Sequence, residues 1–412
     1  MRYPGRRGTN LPRMGDYNQL VVLDHIRRAR ESVSRVELTA VTGLSVQTIS
    51  NVVGRLLELG LVQEGARQIA GRGKPRTLLH LRPGAGYALG AHIDPVSVTT
   101  VLLDLAGTVV DRSVMATPDG SDAVVEAIAA EVARMRTLVP DGEVVGLGVA
   151  APGPIDPQAG RVVHPPLMPS WGDVPLRDRM ADATGLPTLL EKDVAAAMVA
   201  ELWRRSTDLG GTTLFVYLGF GIGFAFAREG EVLSGSSRNA GEIGHLIVDA
   251  DGPECFCGHR GCLGVSVALD RLVGEAVDGG VLPADTLRTT PTELDGAMAR
   301  LTAAAEDGVG AAVAILERAG RRLARGIVIV TDLIDADSVV VSGANWERLA
   351  PYLTSAARVE FAGHATMREL HGVGVDGSAV GLWVGAVGAA SRVLDAAFTP
   401  HASLLVAHPA TV

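Results

Sequence analysis

Three cysteines, Cys255, Cys257 and Cys262, are the only ones in 412 residues, and they fall within eight consecutive positions. A disulfide framework spreads its cysteines along the chain, so a metal accounts better for this crowding. His245 precedes them in the spacing H-x9-C-x-C-x4-C. One imidazole with three thiolates makes a complete tetrahedral set for Zn²⁺, and a closed set with no open position is structural rather than catalytic. Gly258 and Gly261 let the backbone bend around the ion. His259 lies closer in sequence and competes with His245 for the fourth place.

A chain of this length exceeds one ordinary core, since domains hold roughly 100–200 residues. Apolar residues make up 47% and charged residues 20%, which excludes general disorder. No apolar run approaches the ~18 residues that span a bilayer, and the opening MRYPGRRGTNLPRMGDYNQ has no signal-peptide core. A cytoplasmic protein with no membrane partner is expected. The net charge of −9 divides unevenly: residues 1–80 hold 13 Arg and Lys against 6 Asp and Glu, or +7, leaving −16 for the remainder. A polyanion partner therefore belongs to the first eighty residues.

Those residues read as helix, helix, helix, hairpin. Leu20, Leu23 and Ile26 mark the first helix, Val36 to Val41 the second, and Thr42-Gly43 closes it. Ser45 caps a third helix, in which Ile49, Val53 and Leu56 form the buried stripe. Gln47, Thr48, Asn51 and Arg55 then share the opposite face. These side chains read DNA: Gln and Asn pair with adenine, Arg with guanine, and small hydroxyls with base or phosphate. Two strands, Leu61 to Glu64 and Thr77 to Leu81, flank a tip whose Arg72 and Lys74 can sit on phosphate. Together these features describe a winged helix-turn-helix over residues 17–82, with Ser45, Gln47, Thr48, Asn51, Arg55, Arg72 and Lys74 as DNA-binding residues.

From Asn18 to about residue 396 the chain resembles the ROK family of repressors, open reading frames and sugar kinases. The resemblance rests on Gly241-Glu242-Ile243-Gly244-His245 with the cysteine signature, and on Arg35, Thr42-Gly43-Leu44-Ser45 and Gly71-Arg72-Gly73 in the head. Gly146 to Asp156 and Trp171 to Leu176 are similar to family segments too. It implies an α/β fold with a two-lobed, actin-like or ribonuclease-H-like ROK domain over residues 86–396, a sugar cleft between the lobes, and a structural zinc in the loop 241–264. It also selects His245 over His259 as zinc ligand with Cys255, Cys257 and Cys262, because the matching histidine binds zinc through one ring nitrogen and reaches sugar with the other.

Kinases of this family open their first turn with Asp, two glycines and Thr. Here those positions resemble His92, Asp94, Pro95 and Val96, which put negative charge, a missing N–H and a branched side chain where phosphate would lie. The second loop, Gly219 to Gly223, has Phe220 in place of Thr, and Ser342-Gly343-Ala344 keeps a single glycine. Asp193 matches the catalytic base, yet a carboxylate there can simply hold a sugar hydroxyl. Asp193, Glu242 and His245 are the expected effector-binding residues. Leu167 and Gly264 replace two polar sugar contacts, so the ligand can be a phosphorylated, acetylated or less polar sugar. His92 and Lys192 are candidate replacement contacts.

The expectation is a transcriptional repressor rather than an enzyme, with no catalytic residues. It senses a sugar or sugar derivative and binds a palindromic operator as a homodimer or dimer of dimers. The alternative is an ATP-dependent sugar kinase with an appended DNA-binding head.

Overall fold

A computed structural model describes residues 11–29, 32–68, 76–205, 211–287, 289–363 and 372–399. The wing tip with Arg72 and Lys74 lies outside the described residues.

The head comprises α1 (Leu11–Arg28), β1 (Val33–Ser34), α2 (Arg35–Thr42), α3 (Val46–Glu58), β2 (Val62–Gln68) and β3 (Arg76–Leu81). Ser34 caps α2 reciprocally: its hydroxyl accepts the Glu37 N–H at 3.4 Å, and Glu37 accepts the Ser34 N–H at 2.7 Å. Gly43 ends α2 at φ +68°, a left-handed conformation that costs glycine little. Ser45 caps α3 by accepting the Thr48 N–H at 3.1 Å. Ile49, Val53 and Leu56 are buried as the spacing predicts, against Val22, Leu23, Leu38 and Leu79. The sequence pattern misses β1, which pairs Val33 with Leu79 and completes a three-stranded sheet. Two residues are too few to show a period.

Two lobes follow with the same strand order. In the first, β4 (Tyr87–Ile93), β5 (Ser97–Asp104) and β6 (Val109–Ala116) form an antiparallel meander, then α4 (Ser121–Arg136) leads to β7 (Val144–Ala151). A small sheet of β8 (Ile155–Asp156), β9 (Arg161–Val163) and β10 (Asp173–Val174) precedes α5 (Leu176–Thr184) and β11 (Thr188–Lys192). The main sheet runs β11-β7-β4-β5-β6, with β7 and β11 parallel to β4 in sense.

Helix α6 (Asp193–Arg204) crosses to the second lobe, where β12 (Thr212–Leu218), β13 (Ile222–Arg228) and β14 (Glu231–Val232) make the second meander. After α7 (Leu263–Val267), α8 (Leu269–Asp278), α9 (Pro291–Glu306) and α10 (Gly310–Ile334) come β15 (Ser338–Ser342), α11 (Trp346–Gly363) and β16 (Gly374–Gly377). The order β14-β13-β12-β15-β16 repeats that of the first lobe. Finally α12 (Val384–Phe398) returns between the lobes.

Two helices, α6 and α12, join the lobes. Val194 and Met198 of α6 pack with Val384 and Ala390 of α12, with Leu103 of the first sheet and with Phe215 of the second, in one core. Each large side chain buried there contributes at most about 1.5–3 kcal/mol. The helices touch backbone to backbone: a Cβ on Gly388 would stand 1.7 Å from the Ala196 carbonyl oxygen. Substituting Gly388 would force them apart.

Candidate functional site

The metal loop is built from glycines and turns. Cys255 N–H donates to the His259 carbonyl at 2.8 Å, and Gly258 N–H to the Cys255 carbonyl at 2.9 Å. Gly261, at φ +70°, lies so close to Asp249 that a Cβ would stand 1.5 Å from its carbonyl oxygen. Arg322 of α10 braces this turn from behind, donating to the Asp249 carboxylate at 2.9 Å and to the Ser266 carbonyl at 3.2 Å.

The turns converge His245, Cys255, Cys257 and Cys262, whose ligand atoms all lie within 4.8 Å of one another. His245 Nδ1 is 3.4 Å from Cys255 Sγ, and Cys257 Sγ is 3.6 Å from Cys262 Sγ. Ligands of one tetrahedral zinc stand about 3.6–3.8 Å apart, so the donor set and spacing fit a metal ion. His259 sits outside the four: its ring is 3.5 Å from Cys257 Sγ. Hydrogen bonding to the His259 backbone and then to its ring lowers the Cys257 thiol to about 6, which favours the thiolate. With Nδ1 turned to the cysteines, Nε2 of His245 is the ring nitrogen left for another partner.

Between the lobes, three acidic side chains and one lysine meet. Asp94 occupies the turn from β4 to β5, Asp193 opens α6, and Glu242 comes from the loop ahead of the metal site. Lys192, nearly buried, donates to Glu242 Oε1 at 2.5 Å and reaches the carbonyls of Asn239 and Ala240 at 3.5 Å. Of the two candidate contacts, Lys192 thus bridges the lobes. His92 instead is buried against the edge of Tyr217, ring centroids 5.8 Å apart, and burial lowers it to about 4, so it is neutral at pH 7.

Asp193 is the first residue of its helix and accepts the Val194 N–H at 2.7 Å. It lies deep in the protein, yet part of its surface opens to the cleft. Burial raises it to about 7, with Asp94 and Glu242 adding to the rise, against the pull of Val194 N–H and Lys192. Burial likewise raises Asp94 to about 6, against hydrogen bonds from the backbone of Val96, Phe220 and Ser97. The Phe220 bond spans the cleft. Desolvation of its phenol, with Asp94 and Asp193 adding to it, raises half-buried Tyr217 well above the ordinary phenol, so it stays neutral.

Sequence reasoning missed Asn239 and Asn345. Asn239 accepts the Ile155 N–H at 2.9 Å and donates to its carbonyl at 2.8 Å, pinning a first-lobe loop to the second lobe. Buried Asn345 donates to the Gly219 carbonyl at 2.8 Å and fixes the second glycine loop. Asn239 lies two residues before Gly241 and Asn345 directly after Ala344, and that adjacency to motifs already singled out is the signal that could have found them.

On the head, Ser45, Gln47, Asn51 and Arg55 are exposed and Thr48 half-buried. Gln47 Nε2 donates to Asn51 Oδ1 at 2.9 Å, so α3 presents them as a pair. At the far end of α6, the Arg27 guanidinium of α1 stacks 3.7 Å from the Trp203 ring centroid. Trp203 Nε1 donates to Asp395 of α12 at 3.1 Å, and Arg27 lies 3.6 Å from the same carboxylate. One helix, about 18 Å long for its turn count, thus begins in the cleft and ends against the head.

The profile described as ROK family matches residues 90–391. The chain belongs to the ROK family. The profile described as MarR family matches residues 10–72, covering most of the winged-helix head. A transcriptional regulator of Mycobacterium tuberculosis is 29% identical over 322 residues, spanning 77% of this chain and 72% of that protein. The xylose repressor of Bacillus subtilis is 27% identical over 248 residues, or 60% of this chain and 64% of the repressor. In fold, the chain is similar to a ROK transcriptional regulator homologous to the E. coli MLC protein, at 22% identity and TM-score 0.72 over 93% of this chain and 97% of that one. A Streptomyces griseus glucokinase also shares the fold of the lobes, at 24% identity and TM-score 0.63 over 74% of this chain and 99% of the kinase. Repressors and kinases thus both stand among the relatives; the regulator structure matches 93% of this chain, and the glucokinase 74%. Among the described residues no helix is long and apolar enough to cross a membrane.

Proposed function

We propose that the chain is a cytoplasmic transcriptional repressor in which a sugar-sensing domain, residues 86–396, controls a winged helix, residues 17–82, through the hinge helix α6. The observation that carries this reading is the placement of Asp193 and Trp203 at opposite ends of that helix, one in the cleft and one beneath Arg27 of the head. A ligand that closes the lobes on Asp193 changes the setting of α6, and with it the angle of each head. Asp193, Glu242 and the Nε2 of His245 hold sugar hydroxyls. Zn²⁺ on His245, Cys255, Cys257 and Cys262 is structural: it orients the imidazole and anchors the loop that carries Glu242.

Gln47, Asn51 and Arg55 read base edges in the major groove, while Ser45 and Thr48 favour backbone contacts because their hydroxyls already serve the α3 cap. Arg72 and Lys74 contribute phosphate contacts from the wing. A homodimer on a palindrome supplies the second head, since one module buries too little for tight specific binding. The reading is non-enzymatic, because Asp94, Pro95 and Val96 stand where a nucleotide phosphate needs free N–H groups.

The test is operator binding by fluorescence anisotropy, on a site selected from random DNA, with and without each sugar that raises the melting temperature. Repression relieved by ligand requires that a stabilising sugar weaken operator binding at least about 10-fold, within the usual range of allosteric coupling. If every stabilising sugar leaves operator affinity unchanged, the sensor and the head are not coupled. A rise in melting temperature with Mg-ATP would favour the kinase instead.

A further inference from the structure

Two turns of the cleft have their backbone donors already engaged. Anions are held by free backbone N–H groups or by unpaired cations. In the first turn, Val96 N–H is bound to the Asp94 carboxylate at 3.0 Å, Asp94 N–H to the Ser97 carbonyl at 3.0 Å, and Pro95 has none. In the facing turn, Phe220 N–H is taken by the Asp94 carboxylate, and Gly219 N–H by the Gly221 carbonyl at 3.0 Å. The cations are occupied as well: Lys192 by Glu242 at 2.5 Å, and Arg348 by Asp295 at 2.6 Å and Asn345 at 2.8 Å. Among the described residues neither Asp94 nor Asp193 has an arginine or lysine within ion-pair distance, and Lys192, which neighbours Asp193 in the chain, is committed to Glu242.

We infer that this cleft selects an uncharged or amine-bearing sugar and rejects its phosphorylated and carboxylated forms, with Asp94 as the residue that sets the choice. This deepens the sensor reading above and rests on it. A phosphate entering between Asp94 and Asp193 meets a carboxyl group on either side and, in these two turns, N–H groups already engaged, whereas a hydroxyl donates to either carboxylate and an ammonium does so with charge assistance. Leu167 adds to the selection by packing its side chain on Gly221, where it offers no polar contact to a charged substituent.

The experiment is calorimetric titration of the full chain with matched sets built on glucose, mannose and galactose: the parent sugar, its 2-amino form, its 6-phosphate and its uronic acid. For the set that binds, the parent or amino form is expected to bind at least about 100-fold more tightly than the 6-phosphate or uronate. Asp94→Asn keeps the shape and loses the charge, so it is expected to narrow that gap about 10-fold and to abolish any preference for the amine. Asp94→Glu is expected to retain the discrimination. A 6-phosphate or uronate that binds wild type as tightly as its parent overturns the inference and leaves the sensor reading standing. An unchanged gap in Asp94→Asn removes Asp94 from the role. Silence from all three sets overturns the sugar reading itself, and the inference with it.

Discussion

The two ends of α6 are made of opposite materials. At its start Asp193 is an acid deep in the chain, open to the cleft on one side, with Asp94, Glu242 and Lys192 around it. At its finish Trp203 is clasped between a guanidinium and a carboxylate, with both partners in contact. The first end is electrostatically unsettled and waits on a ligand; the second is satisfied and transmits whatever the helix does. A sensor needs both, because a site with nothing left to gain cannot respond, and a joint with slack cannot relay.

The largest expected effect comes from loosening the cleft end. Cys257→Ser should lower the metal content well below one zinc per chain by elemental analysis and cost about 3 kcal/mol or more, a fall of roughly 6–12 °C in melting temperature for a domain of this size. Because Glu242 then loses its anchored loop, sugar binding should vanish while the head keeps its DNA affinity. One zinc per chain in this variant would refute the ligand set.

Next in size, Asn51→Ala acts beyond the finish of α6, on the head itself. It should weaken operator binding by about 1–3 kcal/mol, roughly 5- to 150-fold, with no change on random DNA. Its pair, Gln47, is freed from the 2.9 Å bond between them, so base preference should shift at one position in each half-site. Equal losses on operator and random DNA would mean that Asn51 touches only backbone.

A pH series separates the ends without touching the head. Asp193 is raised to about 7 in the folded chain, so folding favours its protonated form. That contribution to stability is present at low pH and is lost as pH climbs from near 4, where the unfolded carboxyl titrates, through about 7. Asp193→Asn removes the loss. Its melting temperature should gain on wild type as pH rises from 5 to 8, while His92, neutral across that range, contributes to each curve alike. A constant difference across that range would show that Asp193 ionises normally.

The head and the metal loop were legible because their chemistry is local. Ser45, Gly43 and the Ile49, Val53, Leu56 stripe act within a few residues of one another, and the Cys3His spacing sets out a metal-ligand set within eighteen positions. The cleft was legible only by resemblance, since Asp193 and Glu242 meet through two lobes. Sequence offered Lys192 as a sugar contact; the structure pairs it with Glu242, fifty residues on, because β11 turns the lysine across the cleft. The bond from Phe220 to Asp94 and the stack of Arg27 on Trp203 join segments more than a hundred residues apart. No period or spacing carries such a contact, which exists only once hinge and head are assembled.

The smallest expected effect tests the finish of α6 most directly. Arg27→Ala removes the cation from the Trp203 face and its 3.6 Å approach to Asp395, while leaving Trp203 bonded to Asp395 and leaving both binding surfaces intact. A cation–π contact of this kind is worth about 0.5–2 kcal/mol, so at most that much coupling passes through it. Sugar affinity of the free protein and operator affinity of the sugar-free protein should each stay within about 2-fold of wild type. The factor by which sugar weakens operator binding should fall about 3- to 10-fold. Linkage requires the same fall in the factor by which operator weakens sugar binding, so calorimetry on the operator complex checks the result independently. If sugar still releases Arg27→Ala from its operator as strongly as wild type, the signal leaves the hinge elsewhere, with the Phe398 contact between α12 and the head core as the next place to cut.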